Sequence, residues 1–109
     1  MDNLKNHHNF LTLLYNTHLS QKKALIETSS LAQVEILCEI VLNILSGAAD
    51  LNEISKDRFK RKKVYLQLLL QRAISKKRKQ RIFLKNLKLL EHFLEIALNI
   101  IEKDDISSS

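Results

Sequence analysis

The residues with the clearest chemical potential in this 109-residue chain are clustered cations. Five of the six residues from Lys76 to Arg81 are Lys or Arg, and Lys60–Lys63 form a second run of four. Closely spaced ammonium and guanidinium groups bind phosphate oxygens through charge and hydrogen bonds. Neither run itself contains a carboxylate.

The charge of the chain is concentrated in its middle third. The formal net charge is +6, but residues 54–88 carry fourteen basic groups and a single acidic one, Asp57. The segments on either side are mildly acidic, with net charges of −3 for residues 1–53 and −4 for residues 89–109. Such asymmetry favours a polyanionic partner over a merely solvated helix face.

The two basic runs belong to segments that resemble each other. Residues 54–70 and 74–90 match at seven of seventeen positions when they are aligned at an offset of 20. Each copy has an isoleucine, a serine in position to cap a helix, a basic beginning and an apolar continuation. Coincidence in a chain rich in Lys and Leu is the alternative. The pattern predicts helices from Lys56 to about Arg72 and from Lys76 to about Glu102, capped by Ser55 and Ser75.

Cations at the start of a helix conflict with its dipole, at a cost of ~0.3–1 kcal/mol each. Crowded like charges add roughly 0.2–0.5 kcal/mol per pair at i,i+4 spacing. A bound phosphate would reverse both effects, because it accepts hydrogen bonds from the first N–H groups and neutralises the nearby cations. We therefore expect both helix starts to lie on one surface that binds phosphates.

The expected binding mode is phosphate contact to double-stranded DNA with little sequence preference. Phe59, Tyr65 and Phe83 stand at helical spacing and are expected in the core rather than as stacking platforms. The predicted nucleic-acid-binding residues are Lys56, Arg58, Lys60, Arg61, Lys62, Lys63, Ser75, Lys76, Lys77, Arg78, Lys79 and Arg81.

The elements that position these cations are predicted to be helices. Proline is absent and glycine occurs once, at Gly47, which disfavours hairpins. The sequence predicts an all-α domain over residues 1–103, a bundle of four to five helices with a long C-terminal helix, followed by a flexible acidic and serine-rich tail over 104–109. The clearest core helix spans 31–45, with Ser29 or Ser30 as its N-cap and Gly47 at its C-terminal end.

Two apolar stripes are expected to form the core. The first contains Leu37, Val41 and Ile44, and the second contains residues 83, 87, 90 and 94. The second stripe is wider than a small monomer needs. It therefore predicts a homo-oligomer through residues 83–101.

Other chemistry has little support in the sequence. His7, His8, His18 and His92 lack partners at metal-ligand spacing, so no metal is expected. Cys38 is the single cysteine and is expected to pack as a small hydrophobe. There is no nucleophile elbow and no glycine-rich phosphate loop, so we expect neither an enzyme, nor a cofactor, nor a small-molecule substrate.

The sequence also bears on where the chain acts. No run of 18 apolar residues and no secretory signal are present, so an intracellular protein is expected and membrane association is not. The runs "KRKK" and "KKRK" could act as nuclear targeting signals.

The order of the segments resembles a viral family. An apolar "ILCEIVLNILSG" helix precedes a basic helix and then "SKKRKQR", as in small basic proteins of adintoviruses and Polinton (Maverick) elements. The resemblance covers roughly residues 24–82, and the chain departs from the family pattern after Arg81. It implies a DNA-associated or virion-core role. The matching positions are Leu37, Cys38, Glu39, Asn43, Leu45, Gly47, Lys60–Lys63 and Ser75–Lys79.

The sequence thus predicts a nucleic-acid-binding helical protein that binds duplex DNA through its phosphates, with a location in the nucleus or a virion. The alternative is a helical protein-interaction module whose basic block binds an acidic protein partner. Binding of the basic surface to anionic membranes ranks third. The salt dependence of DNA binding separates the first two alternatives.

Overall fold

The computed structural model describes the backbone of residues 2–47, 53–71 and 73–108, and within these ranges it contains eight α-helices and no strand. The all-α prediction is confirmed. The helix number exceeds the predicted four to five, because the helices predicted from Lys56 and from Lys76 each divide into two and the N-terminal segment forms both α1 and α2. The helices are α1 (Asp2–Asn6), α2 (His8–Asn16), α3 (Leu19–Glu27), α4 (Leu31–Leu45), α5 (Glu53–Arg61), α6 (Lys63–Leu68), α7 (Lys76–Lys85) and α8 (Leu87–Ser108).

The boundaries of α4 follow the signals in its sequence. The Ser30 hydroxyl accepts a hydrogen bond from the Gln33 N–H at 3.1 Å, and the Ser30 N–H donates to Gln33 Oε1 at 2.9 Å. This reciprocal pair is a capping box. Beyond the C-terminal end, Gly47 has φ +88°, a conformation that costs glycine nothing. The predicted start and stop of this helix are confirmed.

The core lies between α4 and α8. Leu37, Val41 and Ile44 of α4 are buried, as are Leu90 and Leu94 of α8. Helix α8 packs against α1, α2, α4 and α7, so it touches most of the bundle. The predicted core is confirmed at all of these positions, whereas Leu87 is only half-buried.

The broad apolar face of α8 packs against other helices of the same chain. Apolar side chains on more than one side of α8 contribute to the core, because α1, α2, α4 and α7 all pack against this helix. The predicted homo-oligomer through residues 83–101 stays a prediction, and intramolecular packing accounts for much of the width that motivated it. The buried residues of this face are Leu89, Leu90, Phe93, Leu94, Ala97 and Ile101.

The predicted long C-terminal helix is confirmed as α8, which has 22 residues. Its expected span from Lys76 to Glu102 is wrong, because the chain divides at Asn86 into α7 and α8. The Asn86 N–H donates to the Phe83 carbonyl at 3.1 Å, and its side-chain amide donates to the Ile82 carbonyl at 2.8 Å. An asparagine side chain can replace a backbone donor in this way and so end a helix. The following helix, α8, continues to Ser108, beyond the predicted start of the tail at 104.

The predicted helix from Lys56 to Arg72 is also wrong in its start and its continuity. Helix α5 begins at Glu53, so Ser55 lies inside the helix and does not cap it. The helix is then interrupted by a tighter turn at Lys62, whose N–H donates to the Phe59 carbonyl three residues earlier at 3.2 Å. Neither Gly nor Pro marks this position, which is why the sequence did not indicate it.

The N-terminal helical segment divides into α1 and α2 at His7, whose N–H donates to the Leu4 carbonyl at 3.1 Å. The division leaves Leu4, Leu11 and Leu14 fully buried. The Cα radius of gyration is 13.4 Å, close to the ~13 Å expected for a compact domain of this length. No helix among the described residues has the length and apolarity needed to span a membrane.

Candidate nucleic-acid interface

Helix α7 begins where the sequence predicted. Ser75 is its N-cap, with extended φ and ψ of −66° and 157°, and its hydroxyl accepts a hydrogen bond from the Arg78 N–H at 3.2 Å. The first turn contains no acidic residue. The conflict between the helix dipole and the Lys76–Lys79 cations is therefore present in the folded chain.

The cationic face of α7 borders a cleft of about 640 Å³. Among the described residues that line it there is no Asp or Glu, and five are Lys or Arg. Leu68 and Ile82 contribute apolar surface, and Ser75 and Asn86 contribute neutral polar groups. A concave surface lined by cations raises the local concentration of anions. The lining cations are Lys62, Lys77, Arg78, Arg81 and Lys85.

A second, more open cleft of about 550 Å³ adjoins the first. The two share Lys62, Lys85 and Asn86. The second adds Lys23 and Lys88, and none of its described lining residues is acidic. The two clefts together are here called the basic cleft. Seven cations line it, and they come from α3, α7, α8 and the α5–α6 junction.

The position of Lys62 in the basic cleft depends on the packing of α5. The Phe59 ring stacks on Phe93 of α8, with ring centroids 4.6 Å apart and an interplanar angle of 8°. This contact fixes α5 against the bundle three residues before Lys62. The predictions that Phe59 and Phe83 belong to the core are confirmed, since each is 3% exposed. The side chain of Tyr65 lies outside the described residues.

The structure gathers only part of the predicted site. Lys60, Arg61 and Lys63 are exposed but do not line the basic cleft, and neither does the exposed Lys56. The side chain of Arg58 lies outside the described residues. The predicted cap at Ser55 is wrong, because α5 begins at Glu53. That two helix starts share one surface stays a prediction. The first copy reaches the cleft through Lys62.

Two members of the second run also lie elsewhere. Lys76 is exposed but outside the lining of the basic cleft. Lys79 is half-buried near α4, where its charge acts on Cys38. Burial raises the pKa of the Cys38 thiol from 9.0 to about 11, and Lys79 opposes that shift. Cys38 therefore behaves as the predicted small hydrophobe, 8% exposed in the core.

Three cations of the basic cleft were not among the predicted site residues. Lys85 follows Arg78 and Arg81 at spacings of seven and four, so helical periodicity alone places it on their face. Lys88 lies beyond the break at Asn86, and that break was not anticipated. Lys23 belongs to α3 and reaches the cleft through tertiary packing, for which its sequence neighbourhood carries no signal.

One neutral residue of the basic run points inward. Gln80 is 6% exposed, and its side-chain amide donates to the Ile26 carbonyl at 2.9 Å and to the Ser29 hydroxyl at 3.1 Å. The carbonyls of Glu27 and Ser29 are each 3.4 Å away. These acceptors surround the C-terminal end of α3, where helical carbonyls lack intrahelical partners. Helix α7 is thereby attached to the corner between α3 and α4.

Among the described residues, no group of three or more His, Cys, Asp or Glu side chains is placed to hold a metal ion. His92 lies 3.9 Å from a Glu95 carboxylate oxygen and packs against Phe59, with ring centroids 5.7 Å apart.

Comparisons of the chain with models of protein families, with curated proteins and with solved structures found no match.

Proposed function

We propose that this protein binds double-stranded DNA through its phosphates, with little sequence preference. The observation that supports this proposal is the basic cleft, in which cations from α7 and from the α5–α6 junction line one concave surface without a described carboxylate among them. Arg and Lys in such a setting bind phosphate oxygens and release the counterions condensed on the nucleic acid.

The mode of contact follows from the lining residues. Base-specific reading in the major groove uses bidentate hydrogen bonds from side chains that reach the base edges. Single-strand binding usually adds aromatic stacking. The described lining of the basic cleft contains no aromatic residue, and Phe59 and Phe83 are buried. The backbone of a duplex is the ligand that matches a lining of cations, one serine, one asparagine and aliphatic side chains.

The resemblance to proteins of adintoviruses and Polinton elements suggests a biological setting for this activity. A protein that neutralises phosphates without sequence preference suits the condensation or packaging of a genome. A virion-core role, a nuclear location and self-association through residues 83–101 are parts of the proposal. Each would be compatible with a protein that coats DNA.

The proposal is tested by the salt dependence of duplex binding. If six phosphates are neutralised, the slope of log K against log salt concentration should be about −5, and duplexes of unrelated sequence should give the same slope. Polyglutamate of similar length serves as the control polyanion. Tight binding to polyglutamate with negligible binding to DNA would contradict the proposal and favour an acidic protein partner.

A further inference from the structure

Gln80 interrupts the basic run and differs from its neighbours in burial. It is the one uncharged residue between Lys76 and Arg81, and it is 6% exposed, whereas Lys77, Arg78 and Arg81 are exposed. Its side-chain N–H groups point to Ile26 and Ser29, at the corner where α3 ends and α4 begins. The basic run from Lys76 to Arg81 therefore contains one neutral, buried residue, which attaches α7 to the corner between α3 and α4.

Gln80 fixes the rotation of α7 about its own axis. Successive residues of a helix are separated by about 100° around the axis. With Gln80 held toward α3, the cleft cations Lys77, Arg81 and Arg78 lie at about 60°, 100° and 160° from its direction. Rotation of α7 by a few tens of degrees would turn these side chains away from the cleft and toward solvent or the core.

A buried amide is suited to this task. A lysine or arginine at this position would have to be desolvated, which is costly for a charge. An apolar residue would leave the Ser29 hydroxyl oxygen without the donor that Gln80 provides, and it would remove one of the donors to the Ile26 carbonyl. The Ile26 carbonyl would keep the hydrogen bond from the Ser29 hydroxyl, at 2.6 Å. Glutamine supplies the donor without the charge.

We propose that Gln80 is a positioning residue for phosphate binding: by donating to Ile26 and Ser29 it aims Lys77, Arg78 and Arg81 into the basic cleft. This inference rests on the proposed DNA-binding function. It predicts that a substitution which removes no charge reduces the number of phosphates that the protein neutralises.

The decisive variant is Gln80→Leu, which keeps a similar volume and cannot donate a hydrogen bond. The salt slope of duplex binding counts neutralised phosphates at about 0.9 per phosphate, so a purely structural, charge-neutral change in a folded protein leaves it unaltered. We expect the slope to become shallower by about one to two units and amide exchange in 76–85 to accelerate. The matched control is Gln67→Leu at an exposed position of α6, which should leave both measurements unchanged.

A second variant, Ser29→Ala, removes one acceptor of the Gln80 amide, together with the hydroxyl that donates to the Ile26 carbonyl. Ser29 lies outside the lining of the basic cleft. The variant should change the slope in the same direction by a smaller amount. If Gln80→Leu does not fold, Ser29→Ala decides the question alone. A wild-type slope in the folded Gln80→Leu variant, or in Ser29→Ala when it decides alone, would overturn the inference. An absence of salt-dependent DNA binding by the wild-type protein would instead overturn the proposed function, and with it any role for Gln80 in phosphate binding.

Discussion

Lys22 of α3 and Glu91 of α8 form an ion pair, with Lys22 Nζ 2.7 Å from Glu91 Oε1. The lysine side chain is 5% exposed and the glutamate side chain 43% exposed. Lys22 Nζ also lies 3.4 Å from the Tyr15 carbonyl oxygen. The pair connects α3, whose C-terminal end accepts hydrogen bonds from Gln80, to α8, which carries Lys88. Both helices contribute residues to the basic cleft.

Replacement of Glu91 with Gln should destabilise the protein, because the Lys22 cation would then be buried without its counterion. Loss of the partner of a buried polar group costs about 1–3 kcal/mol. We expect the lower part of that range, since Glu91 is partly solvated. Urea unfolding followed by circular dichroism measures the change.

The neighbouring Lys23 provides the matched control for this pair, because it is a lysine of the same helix with an exposed side chain. Lys23→Met should change the free energy of unfolding by no more than about 0.5 kcal/mol. Lys22→Met combined with Glu91→Gln should recover part of the loss. Equal losses for Lys23→Met and Glu91→Gln would show that the buried pair has no special role.

Substitutions at the start of α7 should have opposite effects on stability. Ser75→Ala removes the acceptor of the Arg78 N–H and should cost about 1 kcal/mol. Lys76→Ala removes a cation from the positive end of the helix dipole and should stabilise the protein by about 0.3–1 kcal/mol. Chemical unfolding of the two variants measures both signs. A loss of stability in Lys76→Ala would mean that the first-turn cations support the fold.

The buried thiol of Cys38 predicts a loss of stability at alkaline pH. Its pKa is raised by burial from 9.0 to about 11, so the unfolded chain loses the thiol proton first. The stabilising contribution is complete below pH 9 and is lost as the pH rises to 11. Unfolding free energies measured over this interval should fall less steeply for Cys38→Ala than for the wild type. Parallel curves would contradict the burial of the thiol.

Several features of the fold could be predicted because the signal lies next to the element it controls. The Ser30 cap with Gln33, the positive φ of Gly47 and the Ser75 cap each depend on residues within a few positions. The division at Asn86 carried a local signal as well, in the ability of an asparagine side chain to replace a backbone donor. Apolar periodicity outweighed that signal in the prediction.

The candidate site was harder to predict because its members come from different elements. Lys62 lines the same surface as Lys85 because Phe59 packs on Phe93, and Lys23 reaches this surface from α3. The inward position of Gln80 depends on acceptors more than fifty residues earlier in the chain. Composition identified the basic block, but only the tertiary fold separates the cations that share the cleft from those that do not.

The most direct test of the central claim compares two sets of substitutions that remove equal charge. The cleft set replaces Lys77, Arg78, Lys85 and Lys88 with Ala, and the outer set replaces Lys60, Arg61, Lys63 and Lys76 with Ala. Each set removes three lysines and one arginine from positions with exposed side chains, so net charge and composition match. The sets differ in whether their residues line the basic cleft.

The measurement is the slope of log K against log salt concentration for a duplex of fixed sequence. If the basic cleft holds the phosphates, the cleft set should make the slope shallower by about three to four units and the outer set by no more than about one. Circular dichroism confirms that both variants are folded. Equal losses of slope in the two sets would show that net charge alone controls binding, and would contradict the assignment of DNA binding to the basic cleft.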